Sequence, residues 1–309
     1  MEFFVTGASG YVGQGVVREL ISAGHRVTGL ARSPAGAARI EALGARAVAG
    51  TLDEPAAVAD LARAAEGVAH LGYKTDDTTD LAGSGRADAA VIAAIGDALA
   101  GTGKPLVTTS GTLLVGAAGS LATERLAADF RTPLGAARGP SEEATLALAD
   151  RGVRSAVVRL APTVHSDADV RGFVSTLIGV ARRAGVSGYV GDGEQRWPSV
   201  HRADAAVLYR LALEHAPAGT RLHGVAEQGV RIREIAEAIG QLVGVPTASV
   251  PAERAADHFG WLGHLVQLDN PVSSEATREL LGWHPDQPSL IDEIGGGAYD
   301  GLLSVANRR

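Results

Sequence analysis

Between Phe3 and Ala23 the chain reads as a short apolar strand, a glycine turn and a helix in immediate succession. Phe3-Phe4-Val5-Thr6 is the apolar run, and Gly7-Ala8-Ser9-Gly10-Tyr11-Val12-Gly13 follows it directly. Val16, Val17, Leu20 and Ile21 then recur at helical spacing. Glycine permits the tight turn, keeps side chains away from a phosphate, and lets helix and strand pack closely. The helix start adds free N–H groups and a partial positive charge. A glycine pattern alone is weak evidence in a chain with 40 glycines. Its place between strand and helix makes Gly7, Ser9, Gly10, Tyr11, Val12 and Gly13 the expected seat of a dinucleotide pyrophosphate.

The pattern continues. Strands are expected at Phe3–Thr6, Arg26–Ala31, Ala47–Val48, Val68–Leu71, Pro105–Thr108 and Ser155–Leu160, with Ala-rich helices between them at 13–23, 36–43, 55–65, 86–100 and 142–151. Such alternation predicts an α/β fold, a doubly wound parallel sheet covered by helices on both faces. After Pro162 the alternation fails, and helical patterns return at 202–215, 231–240 and 273–281. The expected organisation is a dinucleotide-binding domain over 1–162, to which later segments return, and a smaller substrate lobe over 163–309.

Composition narrows the function classes. The chain has 309 residues, 46% hydrophobic and 20% charged, with a net charge of −7 and interspersed signs. No basic patch predicts a nucleic-acid partner, and no apolar run approaches a membrane span. Cysteine is absent, which excludes disulfides, thiolate metal sites and cysteine nucleophiles. The nine histidines lack metal-ligand spacing. Gly111 and Gly116 around Ser110 do not make a serine-hydrolase elbow. Asp76, Asp77 and Asp80 read as a loop near the site. Met1-Glu2 leads straight into the first strand, so the expected location is cytoplasmic.

The second strand addresses coenzyme choice. It ends Gly29-Leu30-Ala31-Arg32-Ser33, without the carboxylate that would bind a ribose 2′-hydroxyl and repel a 2′-phosphate. Arg32 offers a planar fork of donors and Ser33 a hydroxyl, which predicts NADP(H) over NAD(H). Leu52 and Asp53 are candidates for the adenine side.

Six segments, in order, resemble the short-chain dehydrogenase/reductase superfamily, in its extended or atypical branch related to epimerases and dehydratases. Thr6 to Gly13 looks like that branch's coenzyme loop, and Val68-Ala69-His70-Leu71-Gly72 like the fourth-strand segment that passes the coenzyme. Thr108-Thr109-Ser110-Gly111-Thr112 resembles the strand end that carries a catalytic serine, and Arg159 to His165 the segment beside the nicotinamide. Val200 to Ala206 and Leu281-Gly282-Trp283-His284-Pro285 resemble two further signatures of the branch. The resemblance implies a Rossmann fold, nicotinamide chemistry on a small-molecule substrate, and homodimers paired through the helices near 86–100 and 142–151.

One departure stands out. The superfamily's proton relay uses a tyrosine with a lysine four residues later. Here the lysines are Lys74 and Lys104, and none of Tyr11, Tyr73, Tyr189, Tyr209 or Tyr299 stands four residues before either. Arg138 falls at or next to the lysine position, but its guanidinium stays protonated and is a poor acid. Ser110 remains the candidate for orienting a substrate oxygen. His165 is the candidate proton source, since imidazole titrates near neutrality. Thr112, Tyr189, Trp197, His201 and Trp261 are candidates for the substrate pocket, and His201 reads equally as a helix cap. The expected function is an NADPH-dependent reductase acting on a C=O, C=N or activated C=C. A redox-inactive NADP(H) sensor and an NAD(P)-dependent epimerase or dehydratase stay open beside it.

Overall fold

A computed structural model describes residues 1–74, 80–115 and 120–304. The first half runs β1 (Glu2–Thr6), α1 (Tyr11–Ser22), β2 (Arg26–Ala31), α2 (Pro34–Glu41), β3 (Arg46–Ala49), α3 (Pro55–Ala64), β4 (Gly67–His70), α4 (Leu81–Leu99), β5 (Pro105–Gly111), α5 (Pro133–Ala147) and β6 (Arg154–Leu160). The second half runs β7 (Thr163–His165), α6 (Phe173–Ala184), β8 (Ser187–Val190), β9 (Arg196–His201), α7 (Arg202–His215) and β10 (Thr220–Gly224). It continues through β11 (Glu227–Arg231), α8 (Ile232–Val243), β12 (Thr247–Val250), α9 (Ala255–Phe259), α10 (Glu275–Leu281) and α11 (Leu290–Gly295), and closes with α12 (Asp300–Ser304).

Seven parallel strands form the main sheet in the order β10-β6-β5-β4-β1-β2-β3. The chain reverses its winding between β1 and β4, which opens a crevice beyond their carboxyl ends. Buried apolar runs explain the central strands: Phe3, Phe4, Val5, Val68, Ala69, Leu106 and Val107 are all inaccessible or nearly so. Helix α1 buries Val16, Val17 and Leu20 against this sheet.

Helix α5 begins earlier than its composition suggests. Gly135, Gly139 and Pro140 lie inside it, residues that disfavour a helix interior. Tertiary packing overrides propensity here. Thr132 caps the helix by accepting from the Gly135 N–H at 3.0 Å. A Cβ on Gly135 would sit 2.0 Å from the Asp129 carbonyl oxygen, and one on Gly85 of α4 would sit 2.0 Å from that of Ala137. The two helices therefore cross at glycine distance.

Residues after 162 build a second apolar core around Trp197, Ile235, Phe259, Leu262 and Tyr299. A three-stranded sheet (β11-β9-β7) and a two-stranded one (β12-β8) belong to it. The chain nevertheless crosses back, because α7 packs on α1 and β10 extends the main sheet. Two of the signature segments meet at this junction. The Trp283 indole N–H donates to the Asp204 carbonyl at 3.0 Å, and the Asp204 carboxylate accepts from the backbone of Asp286 and Gln287. Among the described residues no helix is long and apolar enough to cross a membrane.

Candidate functional site

The crevice at the reversal point is lined by Gly7, Ser9, Gly10, Leu30, Arg32, Gly50, Thr51, Leu52, Asp53, Leu71, Gly72, Tyr73 and Lys74. Each glycine of the opening loop serves a different geometric need. Gly7 has φ +67°, and a Cβ there would meet the Gly72 nitrogen at 2.7 Å. A Cβ on Gly13 would lie 2.0 Å from the Gly7 carbonyl oxygen. Gly10 has ordinary extended dihedrals (φ −77°, ψ 173°), and its added Cβ would meet only the Gly7 carbonyl oxygen, at 3.1 Å. It faces the crevice as an exposed N-cap, so the space its missing side chain leaves lies in the crevice rather than in the packing of the loop.

The N–H groups of Tyr11, Val12 and Gly13 open α1 and have no helical partner. The Tyr11 side chain turns away from the crevice. Its hydroxyl pairs with that of Ser166 at 2.8 Å, and the Arg202 guanidinium lies 5.1 Å from its ring centroid. Burial pushes this phenol well above the ordinary tyrosine range. Val12 is half-buried against the main core.

A second groove adjoins the first and is lined by Ala31, Arg32, Ser33, Pro34, Ala37, Ala49, Gly50 and Thr51. Arg32, Gly50 and Thr51 border both, so Arg32 stands where the two meet. The Ser33 hydroxyl accepts from the Gly36 N–H at 3.1 Å and caps α2. Leu52 closes over Gly72, within 3.1 Å of where a Cβ would be. Lys74 hydrogen-bonds Asp53 at the rim and holds that carboxyl below its ordinary range. Asp76, Asp77 and Gly116 lie outside the described residues. Asp80 caps α4 through the Gly83 N–H at 2.7 Å.

Ser110 lies on β5 toward the carboxyl edge of the sheet, and its hydroxyl donates to Glu142 Oε2 at 3.0 Å. This carboxylate is the hub of a buried network. Arg159 grips both of its oxygens, and Arg221 Nε donates to it at 3.1 Å. Burial pushes the Glu142 carboxyl up, yet Arg159, Ser110 and Arg221 together hold it below the ordinary carboxylate range. Arg159 Nη1 also donates to the Leu126 carbonyl at 2.8 Å and approaches His223 Nε2 at 3.3 Å.

The His223 tautomer follows from its partners. The Ser273 carbonyl, 2.7 Å from Nδ1, can only accept, so Nδ1 carries the hydrogen and Nε2 receives the Arg159 N–H. Burial lowers this imidazole to about 4 from 6.5. The unfolded chain therefore takes up a proton below about pH 6.5 that the folded chain refuses, and folding weakens as pH falls. Between about pH 7 and about pH 5 the expected loss from this group is about 2 kcal/mol. Urea unfolding at the two pH values measures it, and equal stability at both would contradict a buried neutral His223.

Three of the expected site residues are drawn into buried contacts of the protein's own. His165 is 1% exposed; its Nδ1 lies 2.5 Å from Glu293 of α11, and its ring packs edge-on against His201. Burial pushes the Glu293 carboxyl up, but the two imidazoles hold it down to about 2. His165 thus engages Glu293 while Ser110 engages Glu142, so the two are tied to separate carboxylates rather than to each other. Thr112 is inaccessible, its hydroxyl donating to Asn270 Oδ1 at 3.1 Å while Asn270 returns a bond to the Thr112 carbonyl. Trp197 is inaccessible in the second core, tilted against Phe173.

The remaining pocket candidates are scattered. His201 caps α7 by accepting from the Ala203 N–H at 3.1 Å. Tyr189 lies under the Arg233 guanidinium. Trp261 is 61% exposed on a groove with Arg183, Arg254 and Phe259, which shares no lining residue with the crevice.

Arg138 projects from α5 to the strand ends, where Nη2 donates to the Thr109 carbonyl at 2.9 Å and the guanidinium lies 4.0 Å from the Tyr73 ring centroid. Tyr73 is one of the lining residues the sequence did not point to, with Gly50, Thr51 and Lys74, although it directly follows the His70-Leu71-Gly72 segment. Among the described residues no group of three His, Cys, Asp or Glu side chains converges to hold a metal ion.

The model of the NAD dependent epimerase/dehydratase family matches residues 3–223. The chain is 42% identical over 299 residues to an uncharacterised protein of Schizosaccharomyces pombe, covering 97% of this chain and 100% of that protein. It is 33% identical over 266 residues to a 2′-dehydrokanamycin reductase of Streptomyces kanamyceticus, covering 84% and 72%. Among solved structures, the dTDP-glucose 4,6-dehydratase DesIV from Streptomyces venezuelae, with NAD bound, superposes with a TM-score of 0.79 over 97% of each chain at 19% identity.

Proposed function

The chain belongs to the NAD-dependent epimerase/dehydratase family, and on that premise we propose that it is an NADPH-dependent reductase acting on the C=O, C=N or activated C=C of a small organic molecule. The observation that carries the coenzyme choice is the place of Arg32, at the junction of the two grooves and without a carboxylate at the end of β2. The two relatives whose names state an activity are both reductases, of 2′-dehydrokanamycin and of 2-alkyl-3-oxoalkanoate, which supports reduction over epimerisation.

In this reading the bound coenzyme supplies the hydride. The N–H groups opening α1 hold its pyrophosphate over Gly10, and Gly7 and Gly13 keep the loop closed. Arg32 meets the 2′-phosphate with a bidentate, charge-assisted contact, and Ser33, already capping α2, retains a hydroxyl hydrogen to give. Leu52 covers the adenosine side. Ser110, held by Glu142 near the carboxyl edge of β5, is the candidate for orienting the substrate oxygen.

Calorimetry with both coenzymes tests the assignment. Arg32→Ala is expected to weaken NADPH binding about 30-fold while changing NADH binding about twofold or less. Equal losses for the two would overturn the 2′-phosphate role.

A second reading, an NADP(H) sensor without turnover, is favoured by one observation: Ser110 spends its hydroxyl hydrogen on Glu142. Incubating the protein with NADPH and a panel of ketones, imines and enones separates the two, since a sensor binds NADPH and consumes none.

A further inference from the structure

Tyr73 carries a phenol that the protein leaves unused. Its ring lines the crevice beside Leu71 and Gly72, yet its hydroxyl oxygen is buried and has no hydrogen-bond partner among the described residues. Three of the other four tyrosines are engaged: Tyr11 with Ser166, Tyr209 with Thr109, and Tyr299 with Asp169. A buried hydroxyl without a partner is costly, and it is retained where an incoming group completes it. The neighbouring cation is fixed in place. Arg138 is anchored on the Thr109 carbonyl, one residue before Ser110, with its guanidinium 4.0 Å from the Tyr73 ring centroid.

We propose that Tyr73 is the proton donor of the reduction and that Arg138 is its positioning residue, so that a tyrosine and a cation from two different segments replace the missing pair on one helix. The inference rests on the reductase reading above. For a ketone, hydride from NADPH adds to the carbonyl carbon and the C=O π electrons move to oxygen. The phenol O–H bond breaks, its proton joins that oxygen, and an alcohol forms as NADPH becomes NADP+. The phenolate left beside the guanidinium recovers a proton from water.

Arginine keeps its guanidinium proton in proteins, so Arg138 is not itself the donor. Its charge instead favours the phenolate. Besides burial, two charged groups act on Tyr73, one from α5 and one from α4. Burial raises the phenol, Arg138 from α5 lowers it, and Asp88 from α4 raises it. Asp88 is paired with His70, and the neighbouring Lys74 with Asp53, so neither displaces Arg138 from the ring.

Two measurements test the assignment. The first needs no substrate: the ultraviolet tyrosinate band is titrated in the wild type and in Tyr73→Phe, and their difference isolates Tyr73. In an Arg138→Met background that step is expected to move up by about one pH unit or more, and Arg138→Lys is expected to restore it. A step that stays in place overturns the pairing. The second follows NADPH consumption with the carbonyl panel. Tyr73→Phe is expected to lower kcat about 100-fold or more with calorimetric NADPH affinity unchanged. An unchanged kcat overturns the proposal and leaves the reductase reading standing. A wild type that binds NADPH but consumes none overturns both.

Discussion

Replacing Glu142 with alanine is expected to destabilise the protein by about 3–5 kcal/mol. Glu142 and Arg159 are both inaccessible, and the carboxylate is the only anion that hydrogen-bonds the Arg159 guanidinium among the described residues. Without it a buried positive charge is left with the Leu126 carbonyl and a neutral His223, neither of which carries compensating charge. Arg221 and Ser110 lose the same partner. Equilibrium urea unfolding measures the change. Glu142→Gln keeps the shape and some of the hydrogen bonds, so its loss is expected to be smaller. The double variant Glu142→Leu, Arg159→Met removes both charges and is expected to recover much of the stability. A loss below about 1 kcal/mol for Glu142→Ala would place the pair with exposed ion pairs, against its burial.

Gly10→Val is expected to weaken coenzyme binding by about 100-fold or more while leaving the fold intact. The two effects separate because of local geometry. Gly10 has dihedrals that any residue adopts, and the added Cβ presses on one carbonyl oxygen at 3.1 Å. The valine methyl groups would instead fill the space in front of the α1 N–H groups. At Gly13 the same experiment would be ambiguous, since a Cβ 2.0 Å from the Gly7 carbonyl oxygen forces the loop itself to move. Calorimetry with NADPH and a thermal unfolding curve on the same sample decide the matter. Retained affinity would mean that the pyrophosphate does not pass over Gly10.

The parallel-sheet half of the molecule was legible because its signals are local. A buried strand needs an unbroken apolar run, and β2 matches its expected bounds at Arg26–Ala31 while β1, β4 and β6 match within a residue at each end. Helix α7 likewise matches at Arg202–His215. The short strands of the second lobe went unread, because three- and four-residue strands such as β7 and β8 carry too few residues to show a period. Helix α5 was read only in part, since its glycines serve contacts with Asp129 and Phe130 that a linear pattern does not contain.

For the candidate site the division runs along the same line. Sequence alone determined the glycine loop, the absence of a carboxylate after β2, and the absence of any tyrosine four residues before a lysine, because each depends on residue identity at fixed spacing. Tertiary structure alone decided that His165 is committed to Glu293, that Ser110 leans on Glu142, and that Tyr73 and Arg138 face each other. Those pairings join residues 128, 32 and 65 positions apart, across sheet layers whose packing sets every distance. Side chains that far apart in sequence acquire a shared chemistry only when the folded core holds them at contact range.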